Sequence, residues 1–251
     1  MIDWVEIPAG DVLAGTRPDR IDDLLARHAD LPIERSWLLK EVPAHHIAVP
    51  AFVIARTPVT RAQYGVFVRA VGRPEIRQDR SGQLPMSGVS YDDAAAFCAW
   101  LTDVEGFPID LPDEAEWERA ARGDDHRCYP WGEDWTPNRA NTVEAGIGDL
   151  TPVGGFPDGA SPFGVLDLAG NVDEWTSSRY AAYPGAPEGV PPTEDWALDE
   201  HVSRGGSYRH GRDLARCARR HGLYDRAAAA VMGFRVVRRE RPANPGPGCR
   251  A

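Results

Sequence analysis

Residues 170–176 read Gly170-Asn171-Val172-Asp173-Glu174-Trp175-Thr176. Oxygen donors crowd this stretch, and its glycine gives the backbone freedom to turn. Two further words follow in order. Arg204-Gly205-Gly206-Ser207-Tyr208 sets a close-packing backbone beside an arginine and a hydroxyl, and Gly233-Phe234-Arg235-Val236-Val237-Arg238 alternates as a strand. Between the last two lies a loop, residues 209–220, carrying Arg209, Arg212, Arg216, Arg219 and Arg220.

Upstream, helix signals are clear. Thr60 with Gln63 makes a capping-box pattern, and Tyr64, Phe67, Val68 and Val71 share one helical face up to Gly72 and Pro74. A second helix starts near Ser90, with Asp92 and Asp93 in its first turn, and stops at Gly106; a third runs from Pro112 to Arg122 and closes at Gly123. Residues 2–14 read as a strand, a turn and a second strand, 17–41 as an inserted helix and loop, and 45–56 as another strand. After residue 123 turn residues dominate, with short strands expected at 164–168 and 202–207. The pattern is α+β with little regular structure. One domain over 1–241 and a disordered tail over 242–251, rich in Pro and Gly, are expected.

Composition narrows the function classes. The chain has 251 residues, 42% of them apolar, with 25 Gly, 22 Pro and 8 Trp, which suits a loop-rich fold anchored by aromatics. A net charge of −10 argues against nucleic-acid binding, which needs a basic face. Lys40 is the single lysine, so the positive charge is arginine, a planar donor suited to anions. The 4 cysteines form no C-x-x-C pair, and Cys98 and Cys128 read as core residues. The N-terminus has no signal-peptide pattern, and no apolar run is long enough to cross a membrane, so a cytoplasmic location is expected.

The three words above, with Leu111-Pro112-Asp113-Glu114-Ala115-Glu116-Trp117-Glu118, Tyr129-Pro130-Trp131-Gly132, Phe163-Gly164-Val165-Leu166-Asp167-Leu168 and Trp4-Val5-Glu6-Ile7-Pro8-Ala9-Gly10, occur in the order and spacing of the sulfatase-modifying-factor family. From residue 4 to 238 the chain resembles that family, whose founding activity is the formylglycine-generating enzyme. The resemblance implies a compact α+β fold similar to C-type lectins. It also implies calcium. Asp167 and Glu174 would give carboxylates and Gly170 and Val172 carbonyls to one site, and Asn141 with the Thr142 carbonyl would begin a second, completed by Glu144 or Asp149. The family has Trp where this chain has Asp173, an added carboxylate that either joins the site or faces water.

The sharpest departure concerns copper. Formylglycine generation uses Cu(I) held by two cysteine thiolates in the loop after Gly-Gly-Ser. Here that loop, Ser207 to Arg216, has no cysteine. Aligned from its start, the two positions fall on His210 and Ala215; aligned from Gly233 backwards, Cys217 falls after the pair. Formylglycine synthesis is therefore not expected. His210, with His201 and His221 nearby in sequence, is a candidate ligand for copper or iron or else an exposed loop residue, Ser207 is a candidate catalytic hydroxyl, and Cys217 is a nucleophile or a buried thiol. Arg204, Tyr208, Arg209, Arg212 and Arg216 are candidate substrate contacts for a small-molecule or peptide ligand, the alternative being internal pairing with carboxylates. No His-x-x-x-His-x-Glu iron motif of the ergothioneine-type sulfoxide synthases is present, and the adjacent His45 and His46 face opposite sides of a strand. Two functions remain: a metal-dependent oxidoreductase or peptide- or natural-product-modifying enzyme, and a non-catalytic binding module on the same scaffold.

Overall fold

Pro50 has no amide hydrogen for a β-ladder. The stretch 45–56, expected as one strand, therefore breaks into two, His45–Val49 and Phe52–Ala55. β1 spans Trp4–Ile7, β2 Gly10–Ala14, β3 His45–Val49 and β4 Phe52–Ala55. β1 pairs antiparallel with β4, and β2 with β3, so the two strands of the expected opening hairpin belong to different sheets. The computed structural model describes residues 1–74, 82–190, 199–223 and 228–239. The tail expected to be disordered lies outside the described residues.

The inserted segment forms α1 (Ile21–Arg27) and α2 (Arg35–Leu39), which bury Ile21, Leu24 and Leu38 against Val42. Helix α3 (Arg61–Ala70) has the expected capping box from Thr60 and Gln63. Helix α4 (Tyr91–Glu105) is capped by Ser90 and Asp93 and ends on Gly106 at φ 75, a left-handed cap that glycine adopts without cost. Helix α5 (Glu114–Arg122) begins two residues later than Pro112 because Asp113 takes the N-cap and Glu116 answers it. Helices α3 and α4 enclose one core with Phe67, Phe97, Trp175 and Phe234; α5 seals a second with Trp117, Ala120 and Ala121 against Val5, Val12 and Ile54.

The remaining strands are β5 (Ile109–Asp110), β6 (Asp173–Arg179), β7 (Asp199–Arg204), β8 (His221–Leu223), β9 (Met232–Phe234) and β10 (Val237–Arg238). One sheet has the order β1-β4-β10-β5 and another β8-β7-β6-β9. The strand expected at 164–168 is absent; Asp167 sits at φ 55, a left-handed conformation incompatible with a ladder. The strand expected at 202–207 stops at Arg204, where Gly205 and Gly206 turn with φ 91 and 67. The final strand divides between β9 and β10, with Arg235 between them.

That division positions Arg235, which is fully buried. Its Nε and Nη2 donate to the two oxygens of Glu174 at 2.6 Å each, and its remaining hydrogens reach the carbonyls of Ala55, Arg56 and Leu166. The Trp117 indole N–H also donates to Glu174, at 2.9 Å. One carboxylate and one guanidinium thus tie β4, α5, β6 and the 161–168 turn together. Removing one partner strands a buried charge, which costs far more than the intact pair contributes. Glu174→Ala is expected to lower stability by about 3–5 kcal/mol in chemical denaturation, with the midpoint falling rather than the slope.

A second ionic knot joins the insert to the arginine loop. Arg216 clamps Glu41 with two bonds of 2.8 Å, and Arg216 and Arg219 both donate to Asp213. Burial acts to raise the Glu41 pKa, but the Arg216 guanidinium outweighs it and the net shift is downward. A carboxyl lowered on folding gives its stability in full above its unfolded pKa, roughly 4.3, and loses it as pH falls below that toward the folded value. Glu41→Gln is expected to cost about 3 kcal/mol at pH 7 and to flatten the acid limb below roughly pH 4.3 in pH-dependent denaturation.

Candidate metal centre

Side chains alternate along a strand, so Asp173 and Trp175 of β6 share one face while Glu174 and Thr176 take the other. The register fixes what each meets. Glu174 lies opposite Arg204 and Trp175 opposite Ser203, and Ser203 in turn lies opposite His221 of β8. Glu174 and Arg204 face the α5 side. Asp173, Trp175, Ser203 and His221 face the other.

At the end of that second face three potential ligands converge. Ligand atoms of Asp173, His210 and His221 all lie within 4.8 Å of one another. Asp173 is fully buried, while His210 and His221 are half-buried, so the cluster opens outward through the imidazoles. Asp173 Oδ2 is 2.7 Å from His221 Nδ1, which places the other lone pair of that ring on Nε2 when Nδ1 donates. Asp173 Oδ1 is buried with no hydrogen-bond partner, and so is Ser203 Oγ. A buried carboxylate oxygen left unpaired costs free energy unless something occupies the space before it.

The His210 ring is set by its own turn. Its amide donates to the Ser207 carbonyl at 2.9 Å, and its carbonyl accepts from Val143 at 3.0 Å. Ser207 presents both an N–H, at 3.1 Å, and Oγ, at 3.2 Å, to Nδ1. The amide can only donate, so Nδ1 accepts from it and the neutral ring carries its proton on Nε2; ligation through Nε2 would take the other tautomer, with Nδ1 donating to Oγ. Burial pushes the His210 pKa down to about 4, with the positive arginines adding to this and Asp173 opposing it. The imidazole is therefore neutral at neutral pH.

The other expected site residues are placed differently. His201 is not in the cluster; it stacks on Tyr91 with ring centroids 3.3 Å apart. Cys217 is buried, and burial raises its thiol to about 12, which removes it as a nucleophile. Neither copper thiolate position is filled, and the described residues do not fit a Cu(I) dithiolate. Arg204 is fully buried, donating to Glu114 and Glu118, and Arg216 is held in its knot, so both are paired internally with carboxylates. Arg212 bonds Asp30 and Glu144. Tyr208 and Arg209 remain at the surface, the first half-buried and the second exposed.

At the first expected calcium site Glu174 is committed to Arg235, whose positive charge opposes a cation there. Asp167 accepts from the Gly154 amide at 2.6 Å, and burial raises its pKa to about 6. At Gly170 only glycine fits, since a Cβ there would lie 2.3 Å from the Asn141 carbonyl oxygen. Val172 is a fully buried core residue. At the second, the Asn141 amide nitrogen donates to Asp149, Thr151 and Asn171, and Oδ1 is buried without a partner. The Thr142 hydroxyl donates to Glu144.

The sequence named His210 with His221 nearby but missed Asp173 as the carboxylate they meet. The missing signal was β6: once 173–179 is a strand, alternation separates Asp173 from Glu174 and aims it toward the loop.

Comparison with known proteins agrees with the architecture. PvdO from Pseudomonas aeruginosa superposes with a TM-score of 0.71 at 26% identity, covering 94% of this chain and 93% of PvdO. Treponema denticola variable protein 1 shares the fold, with a TM-score of 0.68 at 19% identity, 94% of each chain being covered. Among relatives by sequence, inactive C-alpha-formylglycine-generating enzyme 2 of Mus musculus is 37% identical over 93% of this chain and 84% of its own. Hercynine oxygenase of Mycolicibacterium thermoresistibile is 32% identical over 88% of this chain and 59% of its own. The serine/threonine-protein kinase Pkn1 of Chlamydia trachomatis is 34% identical over 79% of this chain, and the match spans only 35% of the kinase. This chain thus spans about a third of the length of the chlamydial kinases it matches. The sulfatase-modifying factor enzyme 1-like domain model matches residues 2–240, and the protein belongs to that formylglycine-generating-enzyme-like family, in its α+β, C-type-lectin-like fold.

Proposed function

We propose that this protein is a metal-dependent oxidoreductase that modifies a small molecule or peptide, with one redox metal held by Asp173, His210 and His221 in place of the family's copper thiolates. The observation that carries the reading is the convergence of two imidazoles on a buried carboxylate whose Oδ1 has no partner. Two nitrogens and one oxygen form a borderline-to-hard donor set, suited to iron(II) or copper(II) and ill suited to Cu(I). Such a set leaves coordination positions open, and the bound ion would supply one-electron chemistry with oxygen there.

The chain's own residues have defined tasks in this reading. Asp173 supplies the negative charge that offsets part of the ion's charge. Ser207 orients His210 through Nδ1, and burial keeps that ring neutral at neutral pH. Ser203 Oγ, unpartnered on the same sheet face, is a donor available to a bound substrate or water. The hercynine oxygenase relative supports oxidative chemistry in the family. A structural calcium ion at Asn141 is part of the proposal, since its unpaired Oδ1 is an oxygen of the type calcium takes.

The second reading, a non-catalytic binding module, is favoured by the mouse relative named as inactive. Elemental mass spectrometry of the purified protein separates the two. Iron or copper near one equivalent per chain, falling at least roughly tenfold in His210→Ala, is expected, because loss of one of three ligands removes a large part of the affinity. Calcium alone, or no metal after reconstitution with iron(II) and copper(II), would sink the oxidoreductase reading and leave the binding module.

A further inference from the structure

The arginine loop is not one basic patch, because the structure sorts its members by partner. Arg212 bonds Asp30 and Glu144, Arg216 clamps Glu41 and Asp213, Arg219 bonds Asp213, and Arg220 grips both oxygens of Glu114 at 2.8 Å. Arg209 alone of the five is exposed, and it has no carboxylate partner among the described residues. Its Nε donates to the Tyr208 hydroxyl at 3.1 Å, and its guanidinium lies 5.4 Å from the centroid of that ring. Both terminal amino groups remain available as a fork.

The fork is built into the same turn as the proposed metal ligand. The turn from Ser207 to His210 is closed by the His210 amide on the Ser207 carbonyl, the Arg209 amide donates to Ser207 Oγ at 3.2 Å, and the Tyr208 amide donates to the Asn171 carbonyl. His210 and Arg209 are thus adjacent residues in one pinned turn. A divalent ion with one carboxylate ligand would leave the centre net positive, on a protein whose total charge is −10.

We propose that Arg209 is the anchor for a carboxylate-bearing substrate, docked end-on by its guanidinium at the mouth of the Asp173–His210–His221 centre. This rests on the metal-centre reading and names the substrate class for it. A planar fork with one nitrogen already held by a phenol presents its two remaining donors to a planar carboxylate with little further ordering. The site selects for an anion locally although the protein as a whole repels one.

Cobalt(II) is the probe, since its visible absorption reports both occupancy of the centre and binding near it. Wild type and Arg209→Gln are loaded with cobalt(II), their metal content is measured, and each is titrated with succinate, with inorganic phosphate and with a neutral diamide of the same length. Equal cobalt content is expected in both proteins. Succinate is expected to perturb the wild-type spectrum and to bind Arg209→Gln roughly tenfold or more weakly, as loss of a charge-assisted bidentate contact requires; the diamide is expected to have no effect. Succinate binding that is equal in the two proteins with cobalt retained would overturn the anchor and leave the metal centre standing. Phosphate binding more tightly than succinate would overturn the carboxylate class. Failure of cobalt to bind either protein would overturn the metal reading, and this inference with it.

Discussion

Glu174 holds the molecule together. Its two oxygens take the Arg235 fork and the Trp117 indole, and Arg235 spends its remaining hydrogens on carbonyls from β4 and the 161–168 turn. Strands in this protein are short, several of only two to four residues. Ladders of that length cannot fix how one sheet sits against another. A buried ion pair with every donor used does so, because a misplaced element leaves a charge without its partner. The same device recurs where Arg204 meets Glu114 and Glu118 and where Arg216 meets Glu41. A chain with arginine for nearly all its positive charge has the planar donor these contacts need.

Much of this architecture was legible in the sequence. The capping box at Thr60, the glycine stop at Gly106 and the amphipathic stripes of α3 and α4 are local signals, and local physics decides them. The ordered blocks gave the family. Sheet membership was not legible. Nothing near Pro8 or Pro50 says that the flanking strands will pair across two sheets, since pairing depends on residues far away in the chain. β6 was missed because its seven residues, rich in Asp, Glu, Ser and Thr, look polar; they are strand because their partners bury them.

The site divides in the same way. Absence of the thiolate pair needed only the sequence, and so did interest in His210. The partners of His210 needed register. Arg204 and Arg216 looked like ligand contacts while their carboxylates were unknown; the structure pairs them with Glu114, Glu118, Glu41 and Asp213. Glu174 was expected to bind calcium for the same reason. A carboxylate in sequence has no sign of whether a cation or an arginine will claim it.

Asp173 and Glu174 are neighbours with opposite destinies, one facing the open end of the sheet and the other the sealed side. The strand between them acts as a partition. On the proposed metal-centre reading, substitutions at Asp173, His210 or His221 would alter reactivity without touching the pair that secures the fold, and substitutions at Glu174 would do the reverse. A scaffold so divided can exchange its chemistry by few genetic steps while its folding remains insured, which makes inventiveness and durability separate inheritances of adjacent codons.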